Sequence, residues 1–331
     1  MTPTPPARTP VALTPEQSDW FATTFAMMVD NVEQVVLGKR HVIELAFTAM
    51  VSEGHLLLED FPGTGKTSLA RAMSQTVQGV STRIQFTPDL LPGDVTGITV
   101  YDQKTGEFEF HSGPIFANVV LADEINRASP KTQSALLEAM EEGNVTVDGV
   151  TRATGVPFLV IATQNPIEQA GTYRLPEAQL DRFMMKASLG YPDLAATIRI
   201  LEGTAAIRQD LSPVITPQAL VSMSDIARGV FVNPLVYDYI GRLVEATRDA
   251  RQVRMGVSVR GARALTKAAK TWAVAHGRVF VTPDDVKALA EQVLAHRMVL
   301  DPEAEFDGVT ASAVIGQILL DVVPPSRSDL A

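Results

Sequence analysis

A short apolar run, His55-Leu56-Leu57-Leu58-Glu59, stops at a Gly/Pro loop and precedes a helix-forming stretch over residues 68–77, and nothing else in the chain limits its possible folds as much. The loop reads Asp60-Phe61-Pro62-Gly63-Thr64-Gly65-Lys66-Thr67, so the order is strand, glycine-rich turn, helix. Glycines in such a turn let the backbone aim successive N–H groups at an anion held on the helix N-terminus. Lys66 can then reach β- and γ-phosphate oxygens, and the Thr67 hydroxyl can bind Mg²⁺. The full spacing G-x-x-x-x-G-K-[ST] has glycine where this chain has Asp60. That departure leaves the backbone donors in place. The rival reading, an incidental lysine after an ordinary turn, is countered by what surrounds the loop.

Further apolar runs at 83–86, 118–123 and 158–163 suit strands of a parallel sheet covered on both faces. Helical stretches between them complete an α/β alternation. The first ordered element is expected at Thr14-Pro15-Glu16-Gln17, a capping box with Pro at the first helical position, followed by Phe21, Phe25, Met28, Val29 and Val32 at helical spacing. Two stretches interrupt the repeat. Residues 88–114 contain Leu90-Leu91-Pro92-Gly93, Val100-Tyr101-Asp102, a turn at Lys104-Thr105-Gly106 and the alternating Glu107-Phe108-Glu109-Phe110. Residues 144–152 place Val145-Thr146-Val147 and Val150-Thr151-Arg152 around Asp148-Gly149, a two-residue hairpin turn. After residue 190 helical signals dominate: Asn233-Pro234, residues 262–276, and Thr282-Pro283-Asp284-Asp285 opening a helix to His296. The expected organisation is a flexible Pro-rich tail over 1–13, an α/β nucleotide-binding core over 14–190, a helical domain over 191–300, and a C-terminal extension over 301–331.

With 331 residues, of which 46% are apolar, the chain can bury one large core or two ordinary ones. A net charge of −10 disfavours any function resting on blanket attraction to nucleic acid or anionic membrane. The lack of cysteine excludes disulfides, thiolate nucleophiles and thiolate-held metals. His41, His55, His111, His276 and His296 show no metal-ligand spacing and read as structural or surface residues. The first ten residues carry four prolines and no apolar core, unlike a signal peptide. No run is long and apolar enough to span a bilayer, and a soluble cytoplasmic protein is expected.

Three more blocks carry chemistry. Val119-Val120-Leu121-Ala122-Asp123-Glu124 is a buried strand ending in two carboxylates: Asp123 suits a hydrated Mg²⁺, and Glu124 can orient or deprotonate the attacking water. Val160-Ile161-Ala162-Thr163-Gln164-Asn165 ends in an amide that could position that water or touch a γ-phosphate. Leu180-Asp181-Arg182-Phe183 puts a guanidinium beyond the last strand, where it could reach a neighbouring subunit's phosphate. Read one at a time, these blocks are a solvated turn, a loop Asn and a surface ion pair. Their order along one α/β chain is what joins them.

Together the blocks resemble the AAA+ ATPases, and residues from about 35 to 300 are similar to the MoxR family. The resemblance rests on Val36-Leu37-Gly38-Lys39, Phe86-Thr87-Pro88-Asp89-Leu90-Leu91-Pro92-Gly93-Asp94, Gly113-Pro114-Ile115-Phe116, Ala122-Asp123-Glu124-Ile125-Asn126-Arg127-Ala128, Ala162-Thr163-Gln164-Asn165-Pro166 and Leu175-Pro176-Glu177-Ala178-Gln179-Leu180-Asp181-Arg182-Phe183. It implies a P-loop AAA+ αβα sandwich with a parallel sheet, followed by a smaller α-helical lid. It assigns ATP contacts to Gly38, Asp60, Phe61, Pro62, Gly63, Thr64, Gly65, Lys66, Thr67 and Ser68, and Mg²⁺ to Thr67 and Asp123. Glu124 becomes the catalytic base, Asn165 sensor 1 and Arg182 a trans-acting arginine finger. Sensor 2 falls on Arg260, with Arg263 one helical turn on as the alternative, although the family's Gly-Ala-Ser-Pro-Arg reads Gly256-Val257-Ser258-Val259-Arg260 here. Arg251, Arg254, Arg260 and Arg263 can otherwise be read as one solvated helix face.

The same resemblance implies a hexameric ring with both insertions, the helix-2 insert and the pre-sensor hairpin, facing its pore. ATP is expected between the α/β core and the lid. The implied work is chaperone-like: remodelling or maturing client proteins, by metal insertion or complex assembly, with a von Willebrand A domain partner supplied by another polypeptide. Two alternatives use the same machinery, a nucleic-acid motor and a nucleotide-gated scaffold with little turnover.

Overall fold

The computed structural model describes residues 13–61, 63–165, 172–202 and 211–326. The expectations for most of the Pro-rich tail, for Pro62, for Pro166 and for residues 327–331 lie outside the described residues.

The chain begins at the capping box. The Gln17 N–H donates to Thr14 Oγ1, the Thr14 N–H donates to Gln17 Oε1, and Pro15 starts α1 (Pro15–Glu33). The five apolar positions named above are buried in it. There follow α2 (Arg40–Val51), β1 (Leu56–Glu59), α3 (Lys66–Thr76) and β2 (Ser81–Gln85). The first insertion is α4 (Pro92–Thr96) with the hairpin β3 (Gly97–Asp102) and β4 (Glu107–Ser112). Then come β5 (Val119–Asp123), α5 (Pro130–Glu142), the second hairpin β6 (Asn144–Val147) and β7 (Val150–Ala153), β8 (Leu159–Gln164), α6 (Glu177–Leu180) and β9 (Met185–Ala187). Asp148 and Gly149 turn that hairpin with φ of 51° and 77°, the paired positive angles a two-residue turn requires.

Five strands form one sheet in the order β2-β5-β8-β1-β9, with every neighbouring pair parallel. Parallel strands end at a common edge, so Glu59, Gln85, Asp123 and Gln164 finish close together, where a ligand crevice opens in such sheets. Alternation along the strands divides their apolar residues between two faces. Leu56, Leu58, Val119, Leu121, Leu159 and Ile161 join the core built by α1, α2 and α3. Leu57, Val120, Ala122, Val160 and Ala162 pack with Leu136, Leu137 and Met140 of α5 and with Phe183. Burial on both sides is why these strands read as uninterrupted apolar runs.

Beyond the sheet lie α7 (Leu194–Leu201), α8 (Pro217–Gly229), α9 (Pro234–Asp249), β10 (Val253–Met255), α10 (Val259–Ala275), α11 (Pro283–Leu294), β11 (Val299–Leu300), α12 (Pro302–Phe306) and α13 (Ala311–Asp321). Among its described residues this second domain is helical apart from the short antiparallel β10–β11 pair and a single parallel bridge between Phe231 and Phe280. Asn233 and Thr282 cap α9 and α11, as their sequences predict. Leu220, Tyr239, Leu265 and Leu289 share one apolar cluster with Phe21 and Phe47, so the helical domain is packed onto α1 and α2. Val314, Ile315 and Ile318 of α13 belong to the same cluster. Packing therefore does not break at residue 300. The described part of the C-terminal stretch continues the helical domain.

The two insertions touch. The Arg152 guanidinium lies 3.8 Å from the centroid of the Phe110 ring, a cation–π contact between the second hairpin and the first. Tyr101 and Phe108, cross-strand partners near the tip of the first hairpin, are 52% and 75% exposed, so this ring pair faces outward. Among the described residues no helix is long and apolar enough to cross a membrane.

Candidate nucleotide site and its arginine face

The loop after β1 has the shape its glycines predict. Gly63 and Gly65 take φ of 82° and 95°, and nothing stands within 4 Å of where a Cβ would be, so backbone angle rather than crowding selects glycine. Gly65 is the N-cap of α3 and brings no side chain to satisfy the helix's first N–H groups. An uncapped helix N-terminus is an anion site. Lys66 Nζ donates to the carbonyls of Phe61 at 2.8 Å and Asp60 at 3.3 Å, folding the ammonium back over the loop. This donor set fits a polyphosphate.

Asp60 has a use that the spacing alone does not reveal. Its carboxylate is buried and accepts from Ser188 Oγ at 2.8 Å, the Leu189 N–H at 2.7 Å and the Gly190 N–H at 2.9 Å. The residue standing where the motif has glycine thus ties the phosphate loop to the chain leaving β9. Next to it Phe61 stacks on Tyr191 with centroids 5.9 Å apart, and Lys39 Nζ donates to the Tyr191 carbonyl at 2.7 Å. Gly38, with φ of 67°, abuts Asp193 and Ala196 on the same side.

The crevice at the strand ends is a cavity of about 410 Å³ lined by Asp60, Gly63, Thr64, Gly65, Lys66, Thr67, Asp123, Glu124 and Asn165, together with Arg83, Gln85, Thr163 and Gln164. Nine of the expected site residues therefore meet in one place. Thr163 Oγ1 donates to Asp123 Oδ1 at 2.7 Å and accepts from the Glu124 N–H at 2.8 Å, fixing both acids to β8. Arg83 donates to Asp123 Oδ2 at 2.7 Å and to Gln85 Oε1 at 2.8 Å. Gln85 Nε2 and Arg127 each donate to Glu124 Oε2 at 2.9 Å. Glu124 itself has φ of 56° and ψ of 49°, a left-handed backbone that costs a non-glycine residue about 1–3 kcal/mol. Bonds from Thr163, Gln85 and Arg127 hold it there. Among the described residues no group of three or more His, Asp or Glu forms a metal cage. Asp123 and the Thr67 hydroxyl are among the oxygen donors that line the cavity, and they could hold a hydrated Mg²⁺.

Arg182 and Arg260 lie elsewhere. They line a second cavity of about 550 Å³ that shares no residue with the first. Arg182 is 3.2 Å from Glu141 Oε2, and Arg260 pairs with Glu141 Oε1. Of the helical domain, Tyr191 and α7 flank the phosphate loop, but no described residue of that domain lines this cavity, so α10 with Arg260 stands apart from it. The reason lies at the root of α10. Ser258, its N-cap, donates to Asp181 Oδ2 at 3.1 Å, which anchors that end of the lid beside Arg182. The reading of four arginines as one helix face is also corrected. Arg260 and Arg263 are on α10, whereas Arg254 is in β10 and Arg251 precedes it. Phe61, Ser68 and Gly38 do not line the cavity, and Pro62 is outside the described residues.

Sequence reasoning missed Arg83, Gln85, Arg127, Glu141 and Arg297. The signal for Arg83 and Gln85 was present: polar residues at i and i+2 on an edge strand put one polar row beside Asp123.

A parallel five-stranded sheet carrying this loop, two strand-end acids and a helical second domain defines a P-loop ATPase of the AAA+ class. The description "ATPase family associated with various cellular activities (AAA)" fits residues 55–185, and "AAA lid domain" fits residues 245–318. The chain is 49% identical over 304 residues to "Uncharacterized protein YeaC" of Bacillus subtilis, covering 91% of this chain and 95% of the relative. It is 39% identical over 311 residues to "Chaperone MoxR1" of Mycobacterium tuberculosis, covering 91% and 82%. It is 33% identical over 315 residues to "Protein MoxR" of Paracoccus denitrificans, covering 87% and 92%. A solved "putative ATPase" from Cytophaga hutchinsonii superposes with a TM-score of 0.87 at 37% identity, covering 94% of this chain and 98% of that one. The chain belongs to the MoxR family of AAA+ ATPases.

Proposed function

We propose that this protein hydrolyses Mg–ATP at sites shared between neighbouring protomers of a ring, and uses the cycle to remodel or mature client proteins. The observation that carries the reading is the separation of the machinery. One cavity holds the phosphate loop, Asp123, Glu124 and Asn165, while Arg182 and Arg260 occupy another with no shared lining. A chain built this way has a grip and a base on one face and a pair of guanidinium groups on another. Each face is complemented by a second copy.

In this reading the N–H groups of the loop and of α3 hold the triphosphate, and Lys66 leaves the Phe61 carbonyl to reach its oxygens. Asp123 and Thr67 would hold Mg²⁺, which supplies charge neutralisation on the β- and γ-phosphates. Glu124, poised by Gln85 and Arg127, orients the attacking water and takes its proton. Asn165 positions that water or the γ-phosphate. Arg182 of the adjoining protomer stabilises charge developing on the transferred group. Arg260 arrives on the same face. Gly38 and the Phe61–Tyr191 stack form the flank of the loop against which the base would rest.

The wider assignments rest on family membership. A hexamer, a von Willebrand A domain partner and a protein client are proposed for this chain because it belongs to the MoxR family, one relative of which carries the name chaperone. The outward-facing Tyr101–Phe108 pair offers an apolar contact for a client. Mixing Arg182→Ala protomers with Glu124→Gln protomers tests the shared site. Each is inactive alone in this reading, and mixing restores turnover at interfaces that pair an intact Glu124 with an intact Arg182. Mixtures as inactive as their components would count against it.

A further inference from the structure

Arg297 lies at the end of the single-turn helix Ala295–Arg297, and its side chain is only 2% exposed. A guanidinium taken out of water is tolerated when its charge and its N–H groups are all met. Here they are. Nε donates to Asp181 Oδ1 at 2.7 Å. One terminal nitrogen donates to the Met184 carbonyl at 3.2 Å and to the Val293 carbonyl at the end of α11. The other donates to the carbonyls of Asp181 at 3.1 Å and Phe183 at 2.6 Å. Four of these five acceptors belong to residues 181–184, the segment that carries Arg182. His296 Nε2–H donates to the Phe183 carbonyl as well, at 3.1 Å.

The other oxygen of Asp181 accepts from Ser258, two residues before Arg260. Gly261 closes the arrangement, since a Cβ there would come within 2.9 Å of Arg297 Cδ. One buried fork thus fixes the backbone on both sides of Arg182 and, through Asp181, the root of the helix carrying Arg260. The two guanidinium groups are partly exposed at their tips but share a rigid base.

We propose that Arg297 is a positioning residue for catalysis in the neighbouring protomer, holding Arg182 and Arg260 in one frame so that both reach the adjoining triphosphate together. The proposal rests on the reading that Arg182 acts across the interface. Lysine cannot replace this arginine, because a point charge with three donors does not span acceptors arranged around a planar fork.

The test is a mixed assembly of full-length chains in which Glu124→Gln protomers donate the arginine face and Arg182→Ala protomers supply the hydrolysing pocket. Arg297→Lys is placed on one kind of protomer or the other, and folding of each chain is checked by thermal melting. On the donor, the substitution is expected to cut the restored turnover by roughly 10–100-fold, the scale on which small misplacements act. On the acceptor, whose own finger is already deleted, turnover is expected to stay within about twofold. In the homogeneous Arg297→Lys protein kcat falls while KM for ATP holds. Equal losses on donor and acceptor, or no loss on the donor, would overturn the proposal and leave Arg297 a stabiliser of the fold. Asp181→Asn keeps the carbonyl contacts, and equal damage from it on both sides would overturn the proposal too. Failure of the unsubstituted mixture to regain turnover would instead remove the trans reading itself, and the positioning role with it.

Discussion

Arg182 and Arg260, from different domains, sit on the two oxygens of one carboxylate, Glu141. All three side chains are partly exposed, and such surface pairs contribute about 1 kcal/mol or less each. A phosphate offers more charge and three acceptor oxygens, so it outcompetes Glu141 for both arginines. In the proposed reading, Glu141 is therefore a resting place for the pair. Glu141→Gln is expected to leave kcat within about twofold of the unmodified protein, whereas Arg182→Ala lowers it by about 10³-fold or more. Steady-state ATPase assays separate the two. A Glu141→Gln loss as deep as that of Arg182→Ala would show that the carboxylate orients the finger during turnover.

Glu124 is held in a left-handed backbone by three neighbours, an arrangement suited to a base whose direction matters. Glu124→Gln keeps the shape and removes the proton acceptor. Single-turnover measurement is expected to show hydrolysis slowed by about 10²–10⁴-fold with ATP binding retained. A nucleotide-gated scaffold would show no change.

Asp60 replaces the motif glycine, and restoring that glycine tests why. Asp60→Gly deletes the acceptor for Ser188, Leu189 and Gly190 at the loop's base. Bonds to a charged acceptor contribute roughly 1.5–3 kcal/mol each, and allowing for non-additivity the loss is expected to be about 3 kcal/mol. Denaturant unfolding reads it directly. Unchanged stability would mean that the motif glycine can be restored here without cost.

Two buried histidines set a pH dependence. Burial pushes His55 down to about 4 from its usual 6.5, against the opposing pull of its bond to the Met140 carbonyl. Burial, with Arg297 beside it, holds His296 well below the ordinary value. A group whose proton is disfavoured in the fold binds more protons when unfolded, so stability rises with pH through this window. The contribution is fully present above the unfolded value of 6.5 and is lost as pH falls towards 4. For His55 alone the loss amounts to roughly 3 kcal/mol. Urea unfolding at pH 7 and pH 5 should show the drop, and His55→Gln should reduce it, leaving the part that His296 contributes.

The nucleotide grip and its two acids are legible in sequence because polyphosphate chemistry fixes residue types at short spacing, and because doubly buried strands leave apolar runs. The hairpin at Asp148-Gly149 is legible for the same local reason. What sequence hides depends on contacts between distant segments. The partners of Asp60 are more than a hundred residues away, at 188–190. The seat of Arg260 depends on Asp181 and Ser258 meeting across the two domains, which no local pattern encodes. Arg251 and Arg254 carry the same charge as Arg260 and Arg263 yet lie before α10 begins, in the turn and strand β10 that separate it from α9. Residues 301–331 read as a separate extension until α13 is seen packed into the cluster that holds α9 and α11.

If hydrolysis requires two protomers, one giving Glu124 and the other Arg182, activity must follow assembly. ATP turnover per protomer is therefore measured as the protein is diluted through its assembly transition, with oligomeric state followed by light scattering on the same samples. Turnover per protomer is expected to collapse as the assembly dissociates, while ATP binding to the single chain persists. A dilute monomer that hydrolyses ATP at the full rate of the assembly would contradict the shared site.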